Sequence, residues 1–325
     1  MPDHRHEVRP DLDTAAAVLL TLLCASWGLN QVAVKVAGAG ISPAMQAGLR
    51  SIGSTVLLVA WARWRCVPLL TRDGTLLPGL AAGLLFAAEF LLIYWGLTFT
   101  TASRGVIFLY TAPFVMAIGA HFFVPGDRLT RVRSLGLLVA FAGIVVAFAD
   151  ALRLPTRVEL LGDMLCLAAA FAWGATTVLI KVSRLRHVSA ERTLLYQLAT
   201  SAVVLPVVAL ATGEPGVHDA TPAVIGAFAY QIVVVAFVSY AAWFWLVARY
   251  PASRLAAFTF LTPVFGVAFG GLLLSEPIGP ALLLALVLMA TGIYLVNRPS
   301  RPALSPVDPS QRTGSSRARG RSGDA

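Results

Sequence analysis

The chain has 325 residues, 58% of them hydrophobic and 13% charged, with a mean hydropathy of +0.77. A water-soluble domain keeps roughly a quarter of its residues charged, so this composition argues against a soluble enzyme or binding module. The net charge of +9 could point to nucleic acid, but six of the 25 basic residues lie between Arg298 and Ala325 in a Pro/Ser/Gly/Arg-rich stretch with no apolar period, which reads as a solvated tail.

Residues 1–13 form a charged cytoplasmic leader in which Arg5 and Arg9 precede an apolar run holding Cys24. That outline resembles a secretion signal. However, Leu23 is not the small residue that a lipoprotein cleavage site needs, and Asp11 and Asp13 stand where a signal is positive, so an uncleaved first transmembrane helix is expected. Apolar runs of about twenty residues, the length that crosses a ~30 Å hydrocarbon core, then follow one another. They occupy residues 14–35, 43–62, 76–98, 103–123, 133–150, 160–181, 191–211, 222–247, 255–274 and 279–297. Turn-forming clusters such as Arg72-Asp73-Gly74, Pro125-Gly126-Asp127 and Ser275-Glu276-Pro277 separate them. With the N-terminus in the cytoplasm, twenty of the 25 Lys and Arg fall on inner segments. The other five, Lys35, Arg50, Arg104, Arg153 and Arg157, fall outside or on nearby helix ends. This positive-inside bias places both termini in the cytoplasm. Cys24, Cys66 and Cys166 make no disulfide framework, and the five histidines show no metal-ligand spacing, so neither metal nor cofactor is expected.

The sequence also repeats itself. Trp27-Gly28 recurs as Trp173-Gly174 and Lys35 as Lys181, the only two lysines, at an offset of 146. Ala102-Ser103-Arg104 recurs as Ala252-Ser253-Arg254 and Pro113 as Pro263 at 150, and Asp127 aligns with Glu276 at 149. The expected fold is therefore an all-α membrane protein of ten transmembrane helices, built as two five-helix units over residues 14–150 and 151–297, with a disordered basic tail from 298 to 325. Five is an odd number, so the second unit enters the membrane inverted. Inverted repeats recur in secondary transporters because exchanging the conformations of the halves interconverts inward- and outward-open states.

The Trp-Gly-x6-Lys pattern in the first helix of each half, the Ala-Ser…Pro signal in the fourth and the acidic turn before the fifth resemble the drug/metabolite transporter superfamily. The resemblance is greatest to its ten-helix, EamA-type branch and covers residues 14–297. Pro125-Gly126-Asp127 stands where this family usually has Gly-Glu, leaving the acid one carbon shorter. The resemblance implies a substrate cavity between the halves, lined by helices one to four and six to nine. It also implies that helices five and ten act as outer supports.

Glu89 is the leading site candidate, because it sits near the middle of the third apolar run, where a charge costs roughly 3 kcal/mol on insertion scales. Its counterpart in the second half is Ser239. A carboxylate there could bind a substrate amine or exchange a proton. Equally, it could be a structural partner of Arg50 or Arg104. Trp27, Gln31 and Lys35 step by four along one helical face, as do Trp173, Thr177 and Lys181. Each stripe reads either as cavity wall or as helix packing, and each lysine either as a gate or as a snorkelling anchor. Pro113 and Pro263 interrupt the fourth and ninth spans, as hinges or as static kinks beside Tyr110 and Thr262. Arg104 and Arg254 read as end anchors.

The function these features imply is secondary active transport, as an exporter of small metabolites or drugs, by alternating access in the cell membrane and with proton coupling through Glu89. The expected partners are a small-molecule substrate, the lipid bilayer and protons, but not nucleic acid. A uniporter or exchanger of the same fold would share these features. A membrane enzyme acting on lipid-linked substrates would need acids or histidines clustered at one interface, and a non-transporting partner would need a large extramembrane region; the sequence offers neither. No Gly-Lys-Ser/Thr supports direct ATP use, and no catalytic motif marks an enzyme.

Overall fold

A computed structural model describes residues 12–69, 71, 73–149, 154–274 and 281–298. The leader before Leu12, the Ser275-Glu276-Pro277 turn and the tail beyond Arg298 lie outside the described residues, as does the alignment of Asp127 with Glu276. All regular elements among the described residues are helical. The first span is α1 (Thr14–Gly38), whose first turn is capped by the Asp13 carboxylate accepting from the Ala16 N–H at 2.8 Å. The next two are α2 (Pro43–Trp64), with proline in its first turn, and α3 (Leu76–Phe99).

The fourth span is broken into α4 (Ala102–Leu109) and α5 (Ala112–Phe123). Pro113 has no N–H to offer the carbonyl of Leu109, so the helix stops there and restarts. Pro263 acts alike on Thr259, dividing the ninth span into α11 (Ala252–Thr259) and α12 (Leu261–Leu274). Between them lie α6 (Arg131–Ala147), α7 (Arg157–Val182), opened by a Thr156–Glu159 capping box, and α8 (Ala190–Ala211). The eighth span joins α9 (Pro222–Tyr230) and α10 (Tyr240–Arg249) through a π-helical stretch, Gln231–Ser239, and α13 (Ala281–Asn297) is the tenth. Interruptions at Pro113 and Pro263 were expected in both spans, and the ninth begins three residues earlier than its apolar run.

Seven of these spans are long and apolar enough to cross a membrane. The other three are α2, which carries buried Gln46, Arg50, Ser51 and Ser54, and α6 and α13, each 17 residues long. The two halves interlock instead of sitting side by side. First-half α1 packs against α12 and the eighth span, α3 against α7 and α8, α2 against α8, and α6 against α13. Glycines permit the close approaches. A Cβ on Gly28 would fall 2.5 Å from Phe265 Cβ of α12, and one on Gly174 would fall 2.6 Å from Val115 Cβ of α5. The glycine of each Trp-Gly pair is thus where one helix backbone meets another.

Polar bonds tie the halves together at both ends of the bundle. At the Lys35 end, the Glu214 carboxylate accepts from the Ala44 and Met45 N–H groups at the start of α2 (3.1 and 3.2 Å), and Ile41 bridges Val217. At the opposite end, Arg192 forks onto Asp73 at 2.5 and 2.8 Å, and Arg184 reaches the Asp73 carbonyl at 3.2 Å. Asp73 lies in the α2–α3 loop, and the Arg192 guanidinium holds its carboxyl well below the usual carboxylate range, helped by Thr75. A folded-state pKa below the unfolded value stabilises above the ordinary range near 3.9 and loses that contribution as pH falls through it. Asp73→Asn should therefore lower the melting temperature of detergent-solubilised protein at pH 7. The gap to wild type should hold down to about pH 4 and narrow as pH falls further, and a gap independent of pH would refute the assignment.

Candidate functional site

Between the halves lies a cavity of about 590 Å³. Its walls come from the first four spans and from the sixth to ninth, and neither α6 nor α13 contributes a lining residue. Trp27, Gln31 and Lys35 line it from α1, Glu89 from α3, Tyr110 from the break between α4 and α5, and Trp173 and Thr177 from α7. Seven of the eight predicted binding residues therefore share one chamber. Pro113 and Pro263 are buried behind it, at the two breaks.

Lys181 is the exception. Its Nζ donates to the Tyr250 carbonyl at 2.6 Å, away from the cavity. The Tyr250 hydroxyl in turn donates to Asp13 Oδ2 at 2.9 Å, so Lys181 lies at the N-terminal end of α1, opposite Lys35. Nearby, Asp127 accepts from the Ser253 N–H at 3.2 Å and from its hydroxyl, and Arg133 stands 3.9 Å from the same carboxylate. Asp13–Tyr250 and Asp127–Ser253 each join the first half to the second. The lining residues stop short of the Lys181 end and run to Lys35 and Leu97 in the final turns of α1 and α3.

Nine of the described lining residues are aromatic. Trp27 packs edge-on to Tyr240 and Trp243 at centroid distances of 6.3 and 5.4 Å, and donates from Nε1 to Ser239 Oγ at 2.8 Å. Trp173 meets Tyr110 edge-on at 6.0 Å. Thr177 donates back to the Trp173 carbonyl at 3.4 Å. Glu89 is 8% exposed and engages in no hydrogen bond or ion pair among the described residues.

Arg104 is not the partner of Glu89. Its Nη2 lies 2.5 Å from Asp163 Oδ2, and its Nε lies 3.2 Å from Oδ1, which also accepts from Thr100 at 2.7 Å. Arg104 and Arg254 are buried and bonded rather than loose end anchors, with Arg254 Nη1 reaching the Asn297 carbonyl at 3.5 Å. Sequence reasoning passed over Asp163, an acid inside an apolar run that the logic applied to Glu89 could have flagged. It also left Asn30, Gln197 and Tyr240 out of the site, and Arg50 entered only as a possible partner. Among the described residues no three His, Cys, Asp or Glu side chains are grouped to hold a metal.

The sequence model of the EamA-like transporter family matches residues 14–149 and again residues 160–298. An uncharacterized transporter of Bacillus subtilis, YvbV, is 28% identical over 89% of this chain and 93% of its own length. A protein of Escherichia coli named "Probable amino-acid metabolite efflux pump" is 29% identical over 86% and 93%. A solved crystal structure superposes with a TM-score of 0.75 over 87% of this chain and 98% of that one, at 20% identity, which is a likeness of fold. With the family matched across both halves and its cavity walls in place, this chain belongs to the EamA-like transporter family.

Proposed function

We propose that the protein is a secondary transporter of the cell membrane that exports a small polar or amphipathic metabolite by alternating access. Residues 14–150 and 151–297 act as inverted five-helix repeats, and both termini are cytoplasmic. The observation that carries this reading is the cavity between the halves, whose lining stops short of the Lys181 end and reaches Lys35 at the other. The basic-residue distribution puts the Lys35 end outside, so the conformation corresponds to an outward-open state. The doubled Trp-Gly, Lys and Pro signals and the twofold family match support the repeat. The name of the E. coli relative favours amino-acid-like cargo. Glu89 is proposed as the group that exchanges a proton, and Pro113 and Pro263 as the hinges on which α4 and α11 rock.

Two measurements test this. In a Cys66→Ser background on intact cells, a membrane-impermeant thiol reagent should modify Gly213→Cys and spare Leu304→Cys. In proteoliposomes, an imposed pH gradient should drive radiolabelled amino acids against their concentration gradient. Labelling of both cysteines from one face would remove the inverted arrangement, and absence of flux would remove transport.

A further inference from the structure

Among the described residues Arg50 is the largest fully buried side chain, 1% exposed, and it lines the cavity. Its guanidinium lies 4.3 Å from the centroid of the Phe90 ring and 6.0 Å from that of Tyr240, an arrangement that satisfies a cation's face but not its N–H groups. Nε and Nη2 have no hydrogen-bond partner, and no described carboxylate forms an ion pair with Arg50. Those two nitrogens form one side of the planar group, the edge that takes a carboxylate through two parallel hydrogen bonds. A buried guanidinium left in that state is strongly unfavourable unless something fills the edge.

The same chamber holds the opposite charge. Glu89 precedes Phe90 on α3 and is likewise without a bonded partner. The described cavity lining therefore carries two basic side chains, Arg50 and Lys35, and one acid, Glu89, with no ion pair between Arg50 and Glu89. Two more lining groups, Asn30 Oδ1 and Gln197 Oε1, are buried acceptors without donors, and acceptors suit an ammonium. The remaining wall mixes aromatic and aliphatic side chains, with Trp27, Phe86, Trp173 and Trp243 among them.

Resting on the transporter reading of this cavity, we propose that Arg50 is its specificity-determining anion anchor and that the cargo is amphoteric. A planar carboxylate on the cargo takes the Nε–Nη2 edge, an ammonium faces Glu89, and an apolar side chain lies against the aromatic wall.

The test uses purified full-length protein and three ligands of one skeleton: phenylalanine, phenethylamine without the carboxylate, and 3-phenylpropionate without the amine. Binding is followed by tryptophan fluorescence, since Trp27, Trp173 and Trp243 line the cavity. Phenylalanine should bind at least about tenfold tighter than either single-charge analogue, as expected for a charge-assisted bidentate contact. Arg50→Lys keeps the charge but loses the forked edge. It should bring phenylalanine and phenethylamine within about threefold of each other and leave the affinity for phenethylamine unchanged. Equal binding of a single-charge analogue by wild type, failure of all three to bind, or an undiminished preference in Arg50→Lys would overturn the proposal. The wild-type comparison decides the matter even if the variant does not fold. Loss of the preference alongside intact flux in proteoliposomes sinks the anchor alone, and a preference without flux sinks the transporter reading.

Discussion

Glu89→Gln should yield a folded transporter whose flux no longer responds to a pH gradient. Under the proposed coupling of one proton per substrate, a one-unit pH difference, about 1.4 kcal/mol, would sustain up to about a tenfold concentration ratio in wild type. The variant should sustain a ratio near one, while exchanging label between equal pools with weaker affinity. The expectation rests on three features of the site. Glu89 lies in the cavity wall, so a proton and a substrate can reach it. It is the only acid among the described cavity-lining residues. It also engages in no ion pair or hydrogen bond among the described residues, so the isosteric amide breaks no such bond. The competing view makes Glu89 a structural brace, and it predicts a melting temperature that falls by several degrees with pH-driven accumulation intact. Gradient-driven accumulation in proteoliposomes and thermal unfolding of the same preparation separate the two.

Much of the scaffold was legible because hydrocarbon imposes one demand, a helix of apolar residues whose backbone bonds close internally. The breaks at the fourth and ninth spans could be located from Pro113 and Pro263, although the helix ends fall at Leu109 and Thr259, the residues whose carbonyls lose their donors. The π-helical stretch Gln231–Ser239 left no such mark, since Ile232, Val233, Val234 and Val235 read as any apolar helix. What secures it is tertiary. Ser54 donates to the Ile232 carbonyl at 2.9 Å, and Gln231 is held between the Ala33 carbonyl and the Gln46 amide at 3.2 and 3.1 Å.

The site was legible where depth alone carried the argument, as for Glu89, and where the four-residue stripe of α1 pointed one way. Arg50 and Asp163 escaped because each sits in the first two turns of its helix, where a charge reads as an interfacial anchor. Lys35 and Lys181 show a further limit. They occupy matching positions in the sequence, yet one lines the cavity and the other is locked to Tyr250. The sequence repeat alone does not tell which of the two lysines lines the cavity.

The largest loss of stability should follow from Asp163→Ala. Arg104 and Asp163 fasten the start of α4 to α7 beside the cavity residues Gly105 and Cys166, with side-chain exposures of 7% and 1%. The carboxylate accepts from Arg104 at 2.5 and 3.2 Å and from Thr100 at 2.7 Å, so its removal deprives a buried guanidinium of its counter-ion and a buried hydroxyl of its acceptor. Breaking a buried pair from one side costs about 3–5 kcal/mol, a large share of the 5–15 kcal/mol typical of a folded domain. Replacing both members, Arg104→Leu with Asp163→Leu, removes the uncompensated charge as well as the attraction, and should cost clearly less than Asp163→Ala alone. Denaturant unfolding in detergent measures both. Single and double losses that simply add would mean that the two charges do not depend on each other, and that α4 is held to α7 by packing at Gly105 and Cys166 instead.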